Sequence, residues 1–150
     1  MKTILKPNVA KLAFRVLRRS YGCPGLDGMS LKEIKENYDS HRRNIVRKFE
    51  KDDINSQPIK QVEIIDYAGE ERSIFVYCVY ERWLQQCLKL LLRDALGDYL
   101  SPCVFGYRPG FNMGMLGEYI KSFNKKYVLC LDLKSFFDNI DQSMLLGKLK

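Results

Sequence analysis

The stretch Tyr127–Asp141, YVLCLDLKSFFDNID, constrains the fold more than any other part of the chain. Val128, Leu129, Cys130, Leu131 and Leu133 make an apolar, mostly β-favouring run, the composition of a buried strand. Asp132 interrupts that run. A carboxylate inside such a strand is costly unless something compensates it. A metal ion at the strand end would do so. Turn chemistry at the end of the strand, or a salt bridge, would serve as well, and the residues alone leave these alternatives open.

The rest of the chain reads as helices around one hairpin. Asn8 is placed to cap a helix running to about Ser20, with Val9, Leu12, Ala13, Val16 and Leu17 on one stripe. Lys11, Arg15, Arg18 and Arg19 lie mostly off it. YGCPGLDGMS (21–30) holds three Gly and a Pro and reads as a loop. Its glycines fit no phosphate-binding pattern. Ser30 and Glu33 have capping-box spacing, and the helix they open is expected to reach about Phe49 on Leu31, Ile34, Tyr38, Ile45, Val46 and Phe49. His41 reads as a surface side chain. Residues 51–57 read as a polar loop. Lys60–Tyr67 and Arg72–Val79 then predict a β-hairpin around a turn at Ala68-Gly69-Glu70-Glu71.

Tyr80–Leu96 predicts a long helix with Trp83, Leu84, Cys87, Leu88, Leu91, Leu92 and Leu96 inward, ended by Gly97. Phe111–Asn124 predicts another helix. A last one, Gln142–Lys150, is capped by Asp141 with Met144, Leu145 and Leu149 inward. That gives Asp138 and Asp141 a structural reading. Neither is taken as a metal ligand.

Composition narrows the function classes. No apolar run approaches the ~20 residues of a membrane helix. The basic, amphipathic start lacks the continuous apolar core of a signal peptide, although a mitochondrial presequence shares its character. Five Cys, none in a CxxC and none near His41, argue against zinc and for reduced core thiols in a cytoplasmic protein. The net charge of +7 is uneven: residues 1–50 carry 12 Lys/Arg against 5 Asp/Glu. Such a segment suits either a phosphate backbone or a solvated helix face.

Against that background four motifs stand out, in order: GLDGMS, the hairpin IIDYAGEERSIFVY, SPCVFGYRPG and LDLKSFFDNID. The last strongly resembles the first carboxylate motif of prokaryotic reverse transcriptases, particularly the group II intron type. GLDGMS is similar to the segment that precedes the fingers in that family, and SPCVFGYRPG to its Ser-Pro-x-x-Tyr-Gly-Phe-Arg-Pro-Gly. ERWLQQCLKLLL is similar to its Asp-Arg-x-x-Gln-Gln-Ala-Leu-Lys-Leu helix. The resemblance covers about residues 20–150.

The resemblance implies an α+β fold: the fingers and partial palm of a right-hand polymerase, with helices around a β-hairpin and a short palm strand. By it, residues 1–58 form a helical extension, 59–125 the fingers with the hairpin, and 126–150 the start of the palm. Asp132 would bind Mg²⁺, or Mn²⁺ in its place, together with the main-chain carbonyl of Leu133. Phe137 would lie under the incoming sugar, and Arg72 would grip the triphosphate with its guanidinium fork. Arg82, Gln86, Tyr107 and Arg108 would contact nucleic acid. The partners would be an RNA template, a DNA primer and a dNTP.

The activity implied is two-metal phosphoryl transfer, with cations about 4 Å apart. The family's second carboxylate motif, Tyr/Phe-x-Asp-Asp, does not occur here. The chain alone is therefore expected to be inactive and to need the remaining palm and thumb, from the parent chain or another one. Asp66 stands where the family has a Lys, and Tyr77 where it has a second Pro. These departures favour an alternative, a non-catalytic RNA- or DNA-binding module. A subunit completed by a partner chain is a third reading, in which an exposed half-core seeks its partner.

Overall fold

The computed structural model describes residues 6–20, 22–51, 57–67 and 69–148, without the side chain of Phe49. The expected loop at 51–57, the turn residue Ala68 and the inward Leu149 lie wholly or partly outside the described residues. The chain is mixed α+β, with six α-helices and one two-stranded antiparallel sheet among the described residues. It divides into two compact units, Met1–Leu100 and Ser101–Lys150.

In the first unit α1 (Pro7–Arg18) packs on α4 (Val79–Leu96). Helix α1 begins at Pro7, ahead of the expected Asn8 cap, with Lys6 at the cap position. Proline's fixed φ and missing N–H suit a first helical position. Ala10, Ala13, Phe14 and Leu17 are the residues it buries, whereas Leu12 is exposed. On α4 the buried set is Val79, Trp83, Cys87 and Leu90, while Leu88 and Leu96 face solvent. The indole N–H of Trp83 donates to the carbonyl of Ala10 at 2.9 Å, so the largest buried side chain also has its polar atom satisfied.

The helix expected from Ser30 to Phe49 is two helices, α2 (Leu31–Glu36) and α3 (Tyr38–Glu50). Its start is as expected: Ser30 accepts from the Glu33 N–H and the Glu33 carboxylate accepts from the Ser30 N–H at 2.7 Å. That same contact holds the Glu33 carboxyl below its usual range. Asn37 breaks the run at φ −122° and ψ 36°, in keeping with the competition that Asn side chains offer helices. Beyond the break Tyr38 packs at a tilt against Phe14 and Trp83, ring centroids 5.3 and 5.4 Å away. Ile34 and Ile45 complete the core. His41 is half-buried and hydrogen-bonded to the Tyr80 hydroxyl, so it is more than the surface residue its sequence context suggests.

The hairpin pairs β1 (Lys60–Ile65) with β2 (Glu71–Val76), Lys60 opposite Val76 and Ile65 opposite Glu71. Gly69, at φ 85°, supplies the left-handed turn position, and the Asp66 side chain accepts the Glu70 N–H at 3.1 Å.

The second unit holds α5 (Met113–Ser122) and α6 (Gln142–Lys148). Asn112 caps α5, and Asp141 caps α6 by accepting the Met144 N–H at 2.9 Å. Phe105, Phe111, Tyr119 and Phe123 make a chain of ring contacts at 5.0–5.4 Å. None of this unit's described residues is fully buried, and Met144 and Leu145, expected inward, are exposed.

The strand expected at 128–133 is not formed: these residues pair with no other strand among the described residues. Strand propensity acts only when a second segment completes the hydrogen-bond ladder. The only sheet described is the hairpin.

Candidate nucleic-acid interface

The predicted site residues fall in both units, and each unit is considered by itself. In the first, strand alternation gives the hairpin two chemically different faces. Lys60, Val62, Ile64, Arg72, Ile74 and Val76 share one; Gln61, Glu63, Ile65, Glu71, Ser73 and Phe75 share the other. Arg72 is exposed and sits opposite Ile64, at the turn end of the face that carries both cations. The other face carries the acids. There Ser73 donates to Glu63 at 2.7 Å and Gln61 at 2.8 Å, which lowers the Glu63 carboxyl below its ordinary range. Such a ribbon can present a guanidinium fork on one side while its acids lie on the other, with Glu63 held by Ser73 and Gln61.

Arg82 and Gln86 lie one turn apart on α4, both half-buried. Arg82 reaches back to the glycine-rich loop and donates to the Cys23 carbonyl at 2.6 Å. The guanidinium lies so close over Gly22 that a Cβ there would overlap it. At Gly25 an added Cβ would stand 2.6 Å from the Cα of Cys78. The two glycines therefore let the loop lie directly on the start of α4. Nearby, Glu81 accepts from the Cys78 N–H at 3.2 Å and from the Gln57 N–H at 2.8 Å. Arg82 makes no ion pair among the described residues, and its Nε is buried without a partner there. Gly22, Cys23, Gly25 and Cys78 position this corner. The loop composition announced the glycines, and nothing in the sequence announced where they dock.

In the second unit Tyr107 is 96% exposed and holds φ 55°, an uncommon conformation for an aromatic residue. Arg108 turns back on its own loop. It donates to the Ser101 carbonyl at 3.2 Å and lies 4.5 Å from the Phe111 ring centroid, a cation–π distance. A thiol–phenol contact of 3.1 Å between Cys103 and Tyr119 lowers the Cys103 thiol.

Compared with models of protein families and with curated proteins, the chain matches none.

Asp132 is exposed and makes no hydrogen bond or ion pair among the described residues. Leu133 and Phe137 are exposed too, and Phe137 opens a 3-10 turn in contact with Phe136. That turn is closed by Asn139, whose amide donates to the Ser135 carbonyl at 2.8 Å. The described residues hold no group of three metal-ligating side chains. Magnesium takes about six oxygens in near-octahedral array and keeps several as water. One carboxylate with one neighbouring carbonyl does not fit a pair of such ions. Asp132, Leu133 and Phe137 therefore stay together on one exposed segment without forming a metal centre of their own.

Proposed function

We propose that these residues are the fingers and first palm segment of an RNA-directed DNA polymerase. The observation that carries the reading is the order of four motifs, GLDGMS, the hairpin with Arg72, SPCVFGYRPG and LDLKSFFDNID, within one chain. The hairpin supports it: Arg72 stands at the tip-proximal end of a ribbon whose acids lie on the opposite face. In this reading Arg72 orients a triphosphate, Phe137 abuts the sugar, and Tyr107 and Arg108 face the template strand. Asp132 contributes one of the carboxylates, and the others come from a downstream palm segment, in the same polypeptide or another.

Primer extension on poly(rA)/oligo(dT), with a downstream palm and thumb segment supplied in trans, tests this. Incorporation is expected, and Asp132→Asn should abolish it while leaving RNA binding intact. RNA binding with no incorporation, indifferent to Asp132→Asn, would instead establish a non-catalytic RNA- or DNA-binding module. One observation favours that second reading. Asp66, where the family pattern has a lysine, is built into the hairpin turn through the Glu70 N–H.

A further inference from the structure

We propose that the cleft between α1 and α2 is a binding site for a phosphodiester backbone, separate from Arg72 and Asp132. Five cations converge there from two elements: Lys11, Arg15 and Arg18 on α1, Lys32 and Lys35 on α2. They line two cavities of about 530 and 260 Å³ that share Arg18 and Lys35. All five side chains are exposed, and none forms an ion pair among the described residues. Two acids sit beside these lysines on α2: Glu33 is turned into the cap by Ser30, and Glu36, next to Lys35, lines neither cavity.

A merely solvated face would interleave charges of both signs, because like charges at helical spacing repel. Here none of the residues that line either cavity is acidic. At about 1.5 Å of rise per residue, Lys11 to Arg18 spans roughly 10 Å. That is a track for successive phosphates rather than a pocket for one anion. A membrane surface fits less well. A helix lying on lipid turns its apolar face outward. Helix α1 turns Ala10, Ala13, Phe14 and Leu17 into the core and leaves the cations outside. The site stands whether or not the chain is part of a polymerase.

Fluorescence anisotropy tests it, using the 150-residue chain and labelled single strands of about 16 nucleotides, as RNA and as DNA, without nucleotide. Each phosphate neutralised on a single strand contributes about 0.7 to the slope of log affinity against log salt. Arg18→Gln with Lys35→Gln should reduce that slope by about 1.4 and weaken binding roughly tenfold near 0.1 M salt. Arg18→Lys should recover most of the loss. Arg93→Gln, in α4, should change neither quantity. Both positions in the double variant are exposed, so its melting temperature should match the wild type. Binding of RNA alone, DNA alone or both, with the loss confined to the cleft variant, supports the site. An unchanged salt slope, an equal loss in Arg93→Gln, or no binding by the wild type overturns it. So does a double variant that loses co-sedimentation with phosphatidylserine vesicles while keeping its affinity for the strands. None of these measurements needs Asp132, so this site and the polymerase reading can fail separately.

Discussion

Removing one oxygen from the core should make the protein more stable. Tyr38 sits against Phe14 and Trp83, and its hydroxyl is shut from solvent without a hydrogen-bond partner among the described residues. A buried, unpaired polar group costs about 1–3 kcal/mol, and replacing it with an apolar group of the same shape releases that cost. Tyr38 is only partly buried as a whole, so the lower end, about 1 kcal/mol, is the fitting magnitude for Tyr38→Phe. For a domain of 60–100 residues that is a rise of roughly 4–8 °C in Tm. Thermal and urea unfolding, followed by the fluorescence of the single Trp and by far-UV circular dichroism, would measure it. The substitution also has a pH signature. Burial raises the Tyr38 phenol above its ordinary 10.0, so the folded state keeps a proton that the unfolded state releases. That contribution is complete below pH 10.0 and is lost as pH rises through the raised value. The Phe variant should lose less stability over that range. A variant less stable than wild type by about 0.5 kcal/mol or more would show that the hydroxyl is bonded, and would refute the reasoning.

Three further outcomes follow from the same core. Trp83→Ala should cost about 3–5 kcal/mol out of the roughly 5–15 kcal/mol that holds a small domain, and calorimetry should show Tm lowered by more than about 10 °C; Trp83→Phe should cost less and lose the Ala10 bond. Thiol labelling of the native protein should modify Cys23, Cys103 and Cys130 quickly and Cys78 and Cys87 only on unfolding, since burial pushes the Cys87 thiol up to about 11; stability should also fall from about pH 9 towards 11 as unfolded Cys87 ionises, a loss absent in Cys87→Ala. Ser30→Ala should cost about 1 kcal/mol in urea melts by removing the α2 cap, with Ser30→Asn retaining most of it.

Sequence legibility followed the reach of each interaction. Of the three local caps that the sequence predicts, two form, Ser30 with Glu33 and Asp141 with the Met144 N–H, whereas Asn8 does not cap α1, because Pro7 opens that helix. The hairpin was readable for the same reason, because its partners are neighbours in the chain. Which apolar residue of a helix is buried was less so. Phe14 and Leu90, not Leu12 and Leu88, face the core, because only the packing of α1 on α4 selects among adjacent apolar positions. The break at Asn37 was missed because a continuous 3.6-residue pattern crosses it. The tilted ring contacts of Tyr38 with Phe14 and Trp83 are a tertiary fact with no local signal. The docking of the 22–25 loop on Arg82 and Cys78 is equally non-local.

The segment 128–133 shows where composition stops being sufficient. A helix closes its own hydrogen bonds, so an amphipathic stretch needs only a surface to lie on. A strand points all its N–H and C=O groups sideways, alternate residues toward opposite edges, and needs another chain segment to receive them. Val128, Leu129, Leu131 and Leu133 carry the composition of a strand, but no described residue offers them a ladder. The consequence reaches Asp132. A buried carboxylate demands compensation, and that demand was the physical motive for a metal; an exposed carboxylate is hydrated and demands nothing. The metal role of Asp132 thus rests on the motif resemblance, while the burial argument returns only if a second segment pairs with 128–133 and takes its apolar side chains out of water. If such pairing occurs, it must enclose Asp132 with further oxygen ligands or leave it at the open end of the strand, because a lone buried carboxylate there would oppose the pairing itself.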